Sequence, residues 1–400
     1  MKFTLIGAFF VAGLCVIATT CSLAFGANDA PAAGTNLPSP QAERVSQLIE
    51  QLAHRRFAER EAAARALLAL GLPTIGPLKQ AQNHPEFEIR FRARKILAEV
   101  RQRDFHRRLQ AFASNQERDE EYDLPGWKAF RDLVGDSRDS RDLFTKMQTD
   151  EPRLMQAFED GPRVLEEVLG LRCLQLIQPL GLGEATPVSL GSAAAVLFVS
   201  CRSEGNHADI TAHNVYRICI APAIHQAMAG SAYEPALREM LSLWITRDGG
   251  VTTDYQRLML ALQFDLRAGL APAVQLLEQP GHAPPLRQQA MIAVAKFGDM
   301  SHAPLLERYL TDETQSGARQ LPNQVSVQTE MRDVALAALI VLSRQNFAEY
   351  GMEHVTTHES IGFVPSSCGF ENPEARQAAI EKWRTFRLHQ EKNAGKPAKS

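Results

Sequence analysis

Two histidines at a helical interval give this chain its nearest approach to a catalytic motif. In His354-Val355-Thr356-Thr357-His358 the two imidazoles would share one face of a helix and could grip zinc together. A zinc protease of that pattern carries Glu directly after the first histidine as its general base, and Val355 stands there instead. Glu353 and Glu359 are further oxygen donors, yet Gly351, Gly362, Pro365, Gly369 and nearby β-branched residues oppose a helix. His207 and His213, near Asp209, fall on a polar stretch and a helix start, where capping or surface roles account for them. Asp136, Asp139 and Asp142 lie three apart, but the interleaved Arg138 and Arg141 point to caps and local ion pairs. Gly181-Leu182-Gly183 lacks the further Gly or Lys of a phosphate loop and reads as a turn. The chain has no Gly-x-Ser-x-Gly elbow, Cys-x-x-Cys pair or paired-carboxylate motif. These residues call for no metal and no cofactor, and the expectation leans away from an enzyme. The alternative is a hydrolase or metalloenzyme with its site near the loop over 350–372, from Tyr350 to Asn372.

Beyond the first 26 residues the cysteines are Cys173, Cys201, Cys219 and Cys368, an even number that permits disulfides in an oxidising compartment. Cys201 and Cys219 flank the polar stretch 202–210 and are the preferred pair. Buried free thiols are the other reading, because Cys173, Cys201 and Cys219 all sit in apolar helices.

The elements that position these residues are set by one stretch and its echoes. From Arg60, small or apolar residues follow at offsets 3, 6, 7 and 10: Ala63, Ala66, Leu67 and Leu70. The same offsets from Arg90 give Ala93, Ile96, Leu97 and Val100; from Arg287 they give Ala290, Ala293, Val294 and Phe297. From Arg332 they give Ala335, Ala338, Leu339 and Leu342. That spacing is one face of an α-helix, with Ala where a neighbour comes close. Gly71 and Gly298 fit helix C-termini, and the later Pro77 and Pro304 fit the first turn of a following helix. The unit is a helical hairpin that must stack on its neighbours to bury its apolar face.

Helices are expected over 42–54, 57–70, 74–83 and 86–113, with Phe57, Ile75, Leu78 and Ile89 joining their core. A less regular helical region follows over 114–230. There Trp127, Phe130, Phe144, Met147, Met155 and Leu169 keep helical spacing, and 188–201 reads as a buried helix packed on 211–228. Hairpins resume over 231–346, with a loop expected over 311–328. Pro373 then opens a last helix carrying Ala379, Ile380, Trp383 and Phe386 inward, and 392–400 is a frayed tail.

The first 26 residues read as a secretory signal: Lys2, an uncharged apolar run to Ala18, and small residues at Ala24 and Gly26, with cleavage after Gly26. An uncleaved anchor is the other reading of that run. Residues 27–40 form a linker. The mature chain is expected outside the cytoplasm, periplasmic or extracellular. A net charge of −3 selects no class of partner. Its distribution says more, because Arg90, Arg92, Arg94, Lys95, Arg101 and Arg103 cluster in the first repeats while 116–167 is acidic. Solvated faces and contacts between repeats explain this; a surface for an anionic ligand is the sharper reading. Few aromatics interleave the basic cluster, which counts against nucleic acid.

The segment from Arg60 to Gly71, together with Glu88-Ile89-Arg90 and Met331-Arg332-Asp333-Val334-Ala335, resembles HEAT-like repeats. The likeness is good over 41–110 and 283–345, fair over 233–280 and absent over 116–200. It implies an all-α solenoid of helical hairpins that binds other macromolecules, with no catalytic motif to carry over, and the expected partner here is another protein. The whole chain also resembles exported bacterial HEAT-like proteins without an assigned activity.

Overall fold

The computed structural model describes residues 40–114, 122–177, 187–202, 209–247, 250–279, 281–320 and 326–394. The expected signal, most of the linker, the acidic run Asp119–Glu121, Gly181–Gly183, His207 and the end of the tail lie outside them. The chain is all-α, with eighteen α-helices and two short antiparallel hairpins among the described residues. It divides into two compact units, 1–101 and 102–400.

The first unit is built from α1 (Pro40–Gln51), α2 (Phe57–Leu70), α3 (Ile75–Ala81) and the opening of α4 (Phe87–Ser114). Offsets 3 and 7 of the repeat land in its core: Ala63 and Leu67 of α2 are buried, as are Ala93 and Leu97 of α4. Val45, Ile49, Leu52, Leu78 and Ile89 close the cluster. Each fully buried aliphatic side chain contributes about 1.5–3 kcal/mol. Helix α2 stops at Gly71, whose φ of 68° favours a residue without Cβ. A 3₁₀ turn over Leu72–Thr74 leads into α3. Two expectations need correcting: Ile75 only borders the core, and Phe57 is 63% exposed.

Helix α4 runs on past residue 101, and Leu109 and Phe112 belong to the core of the second unit. That unit continues with α5 (Trp127–Val134), α6 (Arg138–Asp150), α7 (Pro152–Asp160), α8 (Pro162–Ile177), α9 (Leu190–Arg202), α10 (Asp209–Cys219), α11 (Pro222–Met228) and α12 (Glu234–Thr246). Every residue of α9 from Gly191 to Cys201 is buried, so the apolar run of the sequence is a central helix surrounded on all faces. Helices α6, α7, α8, α10, α11 and α12 pack around it. Gly191 lets α9 touch α6, since a Cβ there would stand 2.5 Å from the Lys146 carbonyl oxygen. The helix expected over 211–228 is two, broken where Pro222 opens α11.

Repeating hairpins then return as α13 (Gly250–Gln263) with α14 (Leu270–Glu278), α15 (Pro284–Phe297) with α16 (Ala303–Glu307), and α17 (Met331–Leu342). The first helices stack in order, α13 on α15 and α15 on α17, and the second helices α14 and α16 also touch. As in the first unit, 3₁₀ turns at Arg267–Gly269, Met300–His302 and Phe347–Tyr350 follow the long helices.

The loop expected over 311–328 is in part a hairpin, β1 (Gln315–Gln320) paired with β2 (Ser326–Glu330). Strand β1 is polar and lacks alternation, whereas β2 turns Val327 and Thr329 inward, and packing holds the pair. Thr329 is buried and donates its hydroxyl to Ser366 O at 3.1 Å, while Gly317 lies against Ser366. A smaller hairpin, β3 (Thr357–His358) with β4 (Gly362–Phe363), forms within 350–372. Helix α18 (Pro373–Ala394) closes the chain, burying Ala379, Ile380 and Trp383 with Phe386 packed beside them.

Candidate functional site

The first unit uses one structural corner twice. His54-Arg55-Arg56-Phe57-Ala58-Glu59-Arg60 and His84-Pro85-Glu86-Phe87-Glu88-Ile89-Arg90 share His, Phe and Arg at the same offsets. In the first, Arg60 Nη1 donates to His54 O at 2.8 Å and Arg55 O at 3.2 Å. In the second, Arg90 Nη1 donates to His84 O at 2.7 Å and Pro85 O at 2.6 Å. Each imidazole Nδ1 accepts the backbone N–H two residues on. The arginine therefore locks the turn that precedes its own helix, satisfying carbonyls that the helical ladder leaves open.

Each guanidinium also lies by the phenylalanine one turn earlier, 5.5 Å from the Phe57 ring and 5.7 Å from the Phe87 ring. Phe87 in turn stacks on Phe91 at 6.2 Å. These rings are not core: Phe87 is 66% and Phe91 56% exposed, and Leu72 is exposed as well. Arg60 Nε approaches Glu88 at 3.5 Å, and Arg92 reaches both Glu61 and Glu88, so α2 and α4 run side by side. The outcome is a ledge of three exposed aromatic rings, with Phe57 and Phe87 each beside a fixed arginine and Phe91 stacked on Phe87. Phe57 is expected inside from its apolar type alone, and type alone does not decide burial at this corner. The doubled His-x-x-Phe-x-x-Arg spacing was the signal that could have marked the ledge.

The six basic residues of this segment separate into two groups. Arg90 is spent on the turn carbonyls, and Arg92 on Glu61 at 2.8 Å and Glu88 at 2.6 Å. The hydrogen bond from Arg92 holds the Glu61 carboxyl below its usual range. Arg94, Lys95, Arg101 and Arg103 are exposed along α4.

In the second unit the histidine pair does not converge. His354 faces Glu371 at 3.4 Å, while His358, on strand β3, accepts the Ser360 N–H. No group of three or more metal-ligating side chains occurs among the described residues. His213 pairs with Gln256 at 2.8 Å. Asp136 holds Arg141, and Asp142 accepts the Tyr233 hydroxyl at 2.5 Å and Lys146 at 3.2 Å. Arg141 itself is buried among Phe112, Trp127 and Tyr122.

The expected Cys201–Cys219 bridge is absent, and all four cysteines stand as buried free thiols. Burial pushes the Cys173 and Cys201 thiols up to about 12 and raises Cys219 and Cys368 as well, which leaves them protonated and unreactive near neutral pH.

Two cavities among the described residues are of a size to consider. One, about 660 Å³, lies between α7 and α8, where Glu151 is buried, clamped by Arg172 through two bonds of 2.7 Å and by Ser192. The other, about 620 Å³, lies at the ends of α15 and α17 and borders the β3–β4 hairpin. No helix among the described residues is long and apolar enough to cross a membrane. No protein-family model matches the chain, and no curated protein matches it significantly.

Proposed function

We propose that this chain is an exported, non-catalytic scaffold that binds another protein through its HEAT-like helical repeats, with the first unit supplying the contact surface. One observation carries the reading: two successive repeats hold out the same phenylalanine, each fixed by the same arginine, with Phe91 beside the second. Burying such rings in the first unit's own core would have been the ordinary use of apolar side chains. Aromatic rings at an interface bring a large apolar area at low entropic cost, and rings already fixed lose little further freedom on binding. The exposed Arg94, Lys95 and Arg101 on the same helix favour a partner with acidic residues around its apolar contact.

The test is affinity capture from a native envelope extract, comparing the full chain with its Phe57→Ser, Phe87→Ser double variant. The reading expects a protein retained by the first and lost by the second, with both proteins equally folded by circular dichroism. Identical capture by both would overturn the assignment of the ledge. Amino-terminal sequencing of the exported chain, expected to begin at Ala27, tests the compartment.

A further inference from the structure

The long helices of the second unit end in a way that singles out two residues. Asp265 and Arg344 are the non-glycine residues with positive φ among those described, at 53° and 57°. Both close the same turn: Leu266 N–H donates back to Ala261 O at 2.8 Å, and Gln345 N–H to Ile340 O at 2.9 Å. Glycine fits such a position without strain, whereas a residue with Cβ is disfavoured there. A side chain kept at that cost needs a use.

Asp265 has one. Its carboxylate takes Lys296 Nζ at 3.0 Å, and that ammonium also donates to Leu262 O at 3.3 Å and Ser360 O at 2.6 Å. The contact ties the β3–β4 hairpin over the end of α15. Arg344 has none among the described residues. Its guanidinium makes no hydrogen bond or ion pair among the described residues, and neither does the Glu359 carboxylate on the hairpin opposite.

Both unpaired groups border the 620 Å³ cavity. Its lining includes the apolar Ile292, Val341, Ile361 and the buried Phe363, while Arg344 and Glu359 are themselves exposed. The other charges at the cavity are taken: Lys296 by Asp265, and Asp299 by Ser301 and His302. The volume is in the range of small-molecule sites, and an apolar chamber with a few fixed polar groups is their usual character.

We propose that this cavity binds a short zwitterionic peptide with apolar side chains, its carboxylate on Arg344 and its ammonium on Glu359. Opposite charges on one cavity that do not pair with each other are matched by a ligand that brings both, and the aliphatic and aromatic walls match the body between. The guanidinium fork suits a carboxylate. This site is independent of the aromatic ledge and does not rest on the scaffold reading.

Calorimetric titration of the full chain tests it with the dipeptide Leu-Phe, its N-acetyl derivative and its carboxyl-terminal amide. Wild type should bind the free dipeptide at least about tenfold more tightly than either capped form, the ratio that 1.4 kcal/mol gives. Arg344→Gly should lose at least about tenfold for the free dipeptide and the N-acetyl form, yet melt at a higher temperature because the turn is relieved. Glu359→Gln should lose affinity for the free dipeptide and the amide, and leave the N-acetyl form unchanged. No heat from any of the three at millimolar concentration, or binding indifferent to Arg344→Gly, would overturn the proposal. Equal binding of the free and N-acetyl forms would overturn the role of Glu359.

Discussion

The two units place an arginine at the same point of the repeat and spend it differently. In the first unit Arg60 and Arg90 turn back onto main-chain carbonyls and steady an exposed phenylalanine. In the second, Arg287 goes to Asp312 and Arg332 to Glu313 and Glu330. The apolar offsets behind these arginines are the same, and Ala63, Ala93, Ala290 and Ala335 are all buried. A repeat thus constrains the face that stacks and leaves the charged corner free to vary. One unit turns that corner outward as surface, and the other folds it into a network that anchors its final helix.

The anchor offers the largest effect by which to break the comparison. Arg376 of α18 donates to Asp333 Oδ1 at 2.7 Å and Oδ2 at 3.1 Å, reaches Gln328 O at 3.2 Å and lies 3.3 Å from Glu330. Both partners of the central pair are buried. Arg376→Ala leaves a buried carboxylate without its cation and should cost about 3–5 kcal/mol. Burial holds the Asp333 carboxyl above its ordinary value. A raised carboxyl contributes stability below its unfolded pKa and loses it as pH rises through the folded one. Removing the guanidinium raises the folded value further and widens that window. The deficit of Arg376→Ala should therefore grow from about pH 4 to about pH 7, measured by urea unfolding at both. A deficit that shrank over that range would remove Asp333 as its cause.

An intermediate effect tests what the units share. Ala290→Leu forces a larger side chain between stacked helices and should cost about 1–3 kcal/mol. Amide exchange should quicken over 270–345 while 41–100 keeps its protection, because a repeat leans mainly on its neighbours. Ala63→Leu should do the reverse. Ala62→Leu, on the exposed side of α2, should stay within about 0.5 kcal/mol of wild type. Protection lost equally along the chain in Ala290→Leu would mean one cooperative body.

Much of this architecture was legible because helical periodicity is local. Ala63, Leu67, Ala93 and Leu97 declare a buried face within a few turns, and the run from Val188 to Cys201 is too apolar to be anything but interior. What the sequence hid depends on distant partners. Strand β1 has no alternation to read; its pairing with β2 and the contact of Gly317 with Ser366 exist only once the fold has formed. The second cavity draws Ile292, Arg344 and Glu359 from three separate segments, and the left-handed backbone of Arg344 leaves no mark on residue type. Phe57 departs from its expected burial for another reason: it is apolar by type but lies beside Arg60 on the surface.

The smallest effect sharpens the comparison most directly, because it separates the two uses of arginine by their response to salt. Arg90 donates to carbonyls of its own turn at 2.7 and 2.6 Å, close-range hydrogen bonds that mobile ions do not reach between. Arg332 meets Glu313 at 2.8 Å, and that carboxylate is 72% exposed. Surface ion pairs contribute about 0–1 kcal/mol and weaken as the Debye length falls to about 3 Å at 1 M salt. Hydrogen bonds from a charged donor contribute about 1.5–3 kcal/mol. Arg90→Met should thus cost about 1–2 kcal/mol at any ionic strength once its partial exposure is counted. Arg332→Met should cost about 1 kcal/mol at low salt, with the Glu313 share of that cost fading by 1 M. Melting temperatures of both variants against wild type, taken from about 0.05 to about 1 M sodium chloride, read the difference. Parallel salt dependences would mean that the corner does the same work in both units, and the division between outward surface and inward anchor would then rest on the phenylalanines alone.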